Sequence, residues 1–324
     1  MKFSFIHLPA VMPVEKYEAA IGRMVKSLAG IEGVRSVCQV GGTGTPGISD
    51  VDLFVVFKND VAYAGNPVNG LSGDDRYLFT HNLFGTSEKF AAAMEPYTYF
   101  GTYKLLAGEP FSPSLKVSSD EEAVLGPQVA LEYLLKAWLT IRIEMKYNTI
   151  KVRNLFLISK ALLHDFRLLG ITSGEAWDAV QAVIRAREEW FRRPAGQNEL
   201  SILVRDYESA LYNLLAERLP SFFLHGDIHR ISRNIHLKSG KSLQPTFSGV
   251  LIPASVRTKH SWLPGLQNRI CNFTIEVPRA GGKSPDIIRQ RHSWIAAAAA
   301  YNRKFLPGFV PTAYGLNIFD SPAA

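Results

Sequence analysis

The stretch GGTGTPGISDVDLFVVF, Gly41–Phe57, places two aspartates one residue apart at the mouth of an unbroken apolar run. Successive side chains of a strand alternate faces, so Asp50 and Asp52 point one way while Val51 turns to the core. Two carboxylates that close repel each other, and taking them out of water is costly. A cation between them answers both penalties. Mg²⁺ is held in just this way, by one or two carboxylates together with the phosphate oxygens of a substrate. Asp50 and Asp52 are therefore the candidate metal ligands, with room for one ion or two. The turn ahead of them, Gly41-Gly42-Thr43-Gly44-Thr45, lets backbone amides approach an anion closely. Gly41, Gly42, Thr43 and Thr45 are the candidate phosphate contacts, the threonines adding hydroxyl donors.

Working outward, VEKYEAAIGRMVKSLAG (14–30) carries Val14, Tyr17, Ile21, Met24, Val25 and Leu28 at helical spacing and stops at Gly30. GVRSVCQVGG follows as a β-branched strand ending in glycines. Asp50–Phe57 is the next strand, AYAGNPVNGLSGDD a loop and RYLFTHNLF a third strand. TSEKFAAAM reads as a short helix and YFGTYKLLAGEPF as strand or extended chain. From Gln128 to Pro220 four segments repeat apolar residues on three- and four-residue steps, which predicts a helical block. Beyond Pro220 come strand candidates, among them NRICNFTIEVP, and a helix at SWIAAAAAYNRKFL. The predicted architecture is α+β: a domain over 1–115, a helical domain over 116–220 and a basic α+β region over 221–324.

The order of a glycine turn, Ser-Asp-x-Asp and a buried strand resembles the signature of the nucleotidyltransferase fold of the DNA polymerase beta superfamily. Gly41-Gly42 matches its glycine pair, and Ser49-Asp50-Val51-Asp52 matches its aspartate motif, which adds Ser49 to the phosphate contacts. The resemblance covers residues 14–111, about a third of the chain. It implies an N-terminal nucleotidyltransferase-like mixed sheet. It implies transfer of a nucleoside monophosphate from a nucleoside triphosphate to an acceptor hydroxyl with Mg²⁺, two ions being possible. Asp50 and Asp52 would then be catalytic metal ligands. The spacer from Gly42 to Asp50 is short, Thr43–Ser49. The family's third carboxylate is expected on the next strand, but RYLFTHNLF carries His81 and Asn82 there and no acid. Asp75, just ahead of it, is the candidate. The acceptor would be a small molecule, a protein or RNA. A catalytically impaired nucleotide- or nucleic-acid-binding protein is the alternative.

The remaining signals bound the setting. The 324 residues are 47% hydrophobic and 20% charged, as expected of a globular chain. No apolar run is long enough to span a bilayer. The start lacks a cleavage-site pattern, and two cysteines make no disulfide framework. The expected location is the cytoplasm. The net charge of +7 is uneven, because residues 221–324 hold 13 Lys and Arg against 4 Asp and Glu, a local +9. That region could track phosphates, so nucleic acid is a possible partner. Within it, His225, Asp227 and His229 alternate as on one strand face, a weak metal-ligand pattern. A kinase catalytic loop is a poor fit there: no glycine-rich loop with a β-strand lysine precedes it, and SGVLIPASV after it has no acid. Lys104, Lys151, Arg153, Lys160, Arg289, Arg291 and His292 are further candidates for phosphate contact, and Trp262 and Phe273 for base stacking.

Overall fold

The computed structural model describes residues 3–98, 102–111, 113–224, 228–232, 234–257, 262–278 and 280–311, with 228–232 and Pro264 described by backbone alone. Helix accounts for 50% and strand for 18%, an α+β composition with mixed sheets. No helix among the described residues is long and apolar enough to cross a membrane.

In chain order the elements begin with β1 (Ser4–Ile6), α1 (Val14–Ala29), β2 (Val34–Val40) and β3 (Asp52–Phe57). Next come α2 (Gly73–Leu78), β4 (Phe84–Ser87), α3 (Glu88–Ala91), α4 (Met94–Tyr97) and β5 (Tyr103–Gly108). The helical stretch is α5 (Ser119–Lys146), α6 (Val152–Leu168), α7 (Glu175–Glu189) and α8 (Gln197–Arg218), with β6 (Thr149–Lys151) between the first two. Then follow β7 (Ile228–Ser232), β8 (Ile235–Gly240), β9 (Gln244–Gly249), α9 (Ala254–Arg257) and α10 (Leu263–Ile270). β10 (Cys271–Pro278), α11 (Asp286–Phe305) and β11 (Val310–Pro311) complete the order.

These elements fall into two compact units. One takes in Ala10–Leu125 together with the described residues from Asp286; the other takes in the described residues up to Pro9 together with Gly126–Pro285. This differs from the three consecutive domains expected at 1–115, 116–220 and 221–324. The reason is strand pairing and helix packing between distant parts of the chain. β11 pairs with β4, Asn302 of α11 donates to the Gly85 carbonyl at 2.9 Å, and Arg291 Nε donates to the Tyr97 carbonyl at 2.9 Å. In the other unit β1 pairs with β6. The basic C-terminal stretch is thereby divided between the units.

The first unit is built on a five-stranded sheet ordered β11-β4-β3-β2-β5. β2 is antiparallel to both β3 and β5, while β4 runs parallel to β3 and β11 parallel to β4. β3 is buried on both faces, which is why DLFVVF reads as continuous apolar sequence rather than as alternation. Leu53, Val55 and Phe57 enter one core with Val37, Tyr17, Met24 and Leu28, so α1 covers that face. Phe54 and Val56 enter another with Cys38, Phe84 and Met94. Each such side chain contributes about 1.5–3 kcal/mol by leaving water. In the other unit β7-β8-β10-β9 form a four-stranded sheet, with β10 parallel to β8 and antiparallel to β9.

The expected helix at 14–30, the strands of GVRSVCQVGG and YKLLAG, the four-helix stretch and the alanine-rich helix are all present. RYLFTHNLF is not a strand. Its first residues end α2, Thr80–Leu83 form a connection, and β4 starts only at Phe84. The cause lies ahead of it, where Gly73 adopts φ +53° and Asp74 and Asp75 fill the first helical turn. Acids there suit the positive end of the helix dipole. TSEKFAAAM is likewise split, with Thr86 and Ser87 closing β4 and the helix starting at Glu88.

Candidate functional site

The site is assembled where β2 ends and β3 begins. Val40 and Asp52 are register partners, so the chain leaves the sheet at Gly41 and returns at Asp52. Gly41 takes φ +66°, while a Cβ there would meet nothing within 4 Å. Its backbone angle, rather than crowding, calls for glycine. Gly41, Gly42 and Gly44 are exposed, and Thr43 and Thr45 are half-buried. The loop then closes on itself: the Ser49 and Ile48 amides donate to the Thr45 carbonyl at 2.8 and 3.0 Å.

Two tyrosines clamp the far side of this loop. The Tyr17 hydroxyl, on α1 and 1% exposed, donates to the Ser49 carbonyl at 2.7 Å and accepts from the Gly47 amide at 2.9 Å. The Tyr77 hydroxyl, on α2, donates to the Gly47 carbonyl at 2.5 Å and accepts from the Ala10 amide at 2.9 Å. The Val51 amide donates to the Leu78 carbonyl at 3.0 Å, tying the aspartate stretch to the end of α2. The stretch around Asp50 is thus held by backbone contacts to two helices before any ligand is considered.

Asp50 lies just outside β3 and Asp52 is its first residue, yet the two carboxylates meet as the alternation argument requires. His81 joins them. One ligand atom each from Asp50, Asp52 and His81 lie within 4.8 Å of one another, a group that could hold a metal ion. His81 Nε2 is 2.9 Å from Asp52 Oδ1, with the two side chains 42% and 34% exposed. The Thr80 hydroxyl donates to Asp50 Oδ2 at 2.7 Å. Crowding by protein around the imidazole opposes its charging, but the Asp52 hydrogen bond and charge, the Asn82 carbonyl and the Asp50 charge outweigh that. They raise the His81 pKa above the ordinary histidine value.

The other predicted positions separate. Asp75, the candidate third carboxylate, sits on α2 and faces α1, with Arg23 Nη2 at 2.6 Å from its Oδ1. It is not part of the Asp50–Asp52–His81 group. Its neighbour Asp74 pairs with Lys16 of α1 in the same way. Both acids follow from the helical rather than extended state of this segment, which turns them onto α1. Ser49 is 4% exposed, and its Oγ accepts from the Thr45 amide at 3.2 Å, so it shapes the loop from inside. Arg291 and His292 are buried on α11, and Arg289 pairs with Asp286. Lys104 is exposed on β5. Lys151, Arg153, Lys160, Trp262 and Phe273 belong to the other unit. His225 and Asp227 lie outside the described residues, as does the side chain of His229.

Sequence reasoning missed Tyr17, Tyr77 and Thr80, and noted His81 only as a departure from an expected acid. Thr80 and His81 had one readable signal, their polarity just after the apolar YLF. No protein-family model, curated protein or solved structure matches the chain.

Proposed function

We propose that this protein is a nucleotidyltransferase whose centre is the Asp50–Asp52 pair, acting on a nucleoside triphosphate and an acceptor hydroxyl. The observation that carries the reading is one juxtaposition. Two carboxylates at the start of a buried strand converge beside an exposed glycine turn that leaves the neighbouring strand. A Mg²⁺ ion held by Asp50 and Asp52 would supply charge neutralisation at the reacting phosphorus. The donor set fits such an ion, since carboxylate oxygens are its usual ligands. The chain's own residues do the rest. Thr80 holds the Asp50 carboxylate, and Tyr17 and Tyr77 hold the loop. The exposed backbone of Gly41, Gly42 and Gly44, with Thr43 and Thr45 beside it, would take the phosphate oxygens. The acceptor oxygen forms its bond to the α-phosphorus as the α–β bridging bond breaks. Pyrophosphate leaves, and the hydroxyl proton passes to solvent.

One observation favours a second reading, a protein of the same fold that binds a nucleotide without turning it over. The group is closed by His81 and not by a third acid. Pyrophosphate release from each of the four NTPs with Mg²⁺, measured for the wild type and Asp52→Ala, separates the readings. Release that falls by about 10³-fold in the variant is expected of the enzyme. Equal release in both proteins sinks the site. Nucleotide binding with no pyrophosphate from the wild type selects the second reading.

A further inference from the structure

We propose that His81 is a third metal ligand, and that it makes this centre select a borderline transition-metal dication, of the Co²⁺ or Zn²⁺ class, over Mg²⁺. The inference rests on the metal site proposed above and concerns which ion it takes. Imidazole nitrogen is a favoured ligand of transition metals, whereas Mg²⁺ prefers oxygen alone. A site of two carboxylates and one imidazole therefore tilts toward the transition series.

The ring is set for the task by contacts outside the group. His81 Nδ1 is 2.7 Å from the Asn82 carbonyl oxygen. A carbonyl only accepts, so Nδ1 carries a hydrogen and Nε2 is the nitrogen turned toward the carboxylates. A ligating histidine is oriented in this way, with one ring nitrogen donating to a carbonyl. Nε2, 2.9 Å from Asp52 Oδ1, gives up the proton it shares with that carboxylate when a metal ion takes its place. The Phe84 ring packs edge-on against His81, with centroids 5.0 Å apart, which restrains the imidazole plane. The Thr80 hydroxyl gives Asp50 the corresponding support. Ligand atoms about 2.1 Å from a tetrahedral ion stand about 3.4 Å apart. The three ligand atoms lie within 4.8 Å of one another, with His81 Nε2 2.9 Å from Asp52 Oδ1, so small side-chain shifts reach that spacing.

The test is binding, read without turnover. Zn²⁺, Co²⁺ and Mg²⁺ are titrated calorimetrically into the full chain and into His81→Ala and His81→Asp, and the visible bands of bound Co²⁺ are recorded. The wild type is expected to bind Zn²⁺ and Co²⁺ at least 100-fold more tightly than Mg²⁺. His81→Ala is expected to lose about 10- to 100-fold in Zn²⁺ and Co²⁺ affinity, to shift the Co²⁺ bands and to leave Mg²⁺ binding within about twofold. His81→Asp is expected to bind Mg²⁺ more tightly than the wild type while Zn²⁺ weakens. Equal losses for all three ions in His81→Ala, or Zn²⁺ and Co²⁺ affinities and bands that do not change, overturn the proposal. In that event pyrophosphate release with Mg²⁺ still stands for the enzyme. No binding of any ion by the wild type overturns both.

Discussion

Replacing Tyr17 with phenylalanine removes one oxygen from the interior of the first unit and keeps the ring that packs beside Leu53, Val55 and Phe57. The apolar area buried by the ring is unchanged, so the cost lies in hydrogen bonding. That oxygen donates to the Ser49 carbonyl at 2.7 Å and accepts from the Gly47 amide at 2.9 Å. Gly47 and Ser49 are both buried, so water does not readily take the place of the hydroxyl. A buried polar group deprived of its partner costs about 1–3 kcal/mol, and two groups are affected here. Some relaxation of the loop brings the sum to about 2–4 kcal/mol. For a unit of this size that lowers the midpoint of its thermal transition by on the order of 10 °C. The same energy, released locally, speeds exchange of the Gly47 amide by about 10²-fold. Differential scanning calorimetry gives the first number, and hydrogen exchange followed amide by amide gives the second. A transition within about 1 °C of the wild type, together with unchanged Gly47 exchange, would refute the claim that α1 holds the loop ahead of Asp50.

Two further outcomes follow from other parts of the chain. Glu144 lies buried in the second unit, where its Oε2 accepts from the Lys151 amide at 3.0 Å. Burial pushes its pKa up from 4.5 to about 7, against the opposing pull of Lys151 and Asn154. A carboxyl raised on folding stabilises below its unfolded pKa, and that contribution fades as pH rises from about 4.5 through 7. The difference amounts to about 3 kcal/mol between pH 4 and pH 8. Denaturant unfolding across that range should therefore show a flatter profile for Glu144→Gln, and identical slopes would refute the assignment. Gly108 ends β5 with φ +84°, and a Cβ there would lie 2.0 Å from the Arg35 carbonyl oxygen. Gly108→Ala should destabilise the first unit by about 3 kcal/mol or more, read as a lowered denaturation midpoint. A change under about 0.5 kcal/mol would show that the β2–β5 edge yields freely.

Where local periodicity decides structure, the amino-acid order was enough. The apolar steps of α1 and the continuous DLFVVF run are short-range patterns, and both elements stand where those patterns put them. The aspartate pair was legible from its one-residue spacing at a strand mouth, although β3 starts only at Asp52 and contacts from Tyr17, Tyr77 and Leu78 hold the residues just before it. The Thr80–Leu83 connection was less legible, because the aromatic and aliphatic residues on either side of Thr80–Asn82 in RYLFTHNLF are good strand formers. The two ion pairs from α1 to Asp74 and Asp75 support the helical choice, and they join residues over 50 positions apart. Asp75 was therefore expected beside the pair, and the structure gives its carboxylate to Arg23 instead.

The sequence by itself determined the strand, the glycine turn and the two carboxylates, because each depends on neighbours a few positions away. Only the tertiary structure decided what completes the group. His81 reaches Asp52 because β4 lies parallel beside β3 and the connection into β4 passes the mouth of β3. Tyr17 and Tyr77 reach the loop because two helices pack there, across 30 residues or more of chain. The return of α11 and β11 to the first sheet has the same origin. Such contacts form when distant segments bury their apolar faces together, and no local period in the chain records which segments those will be.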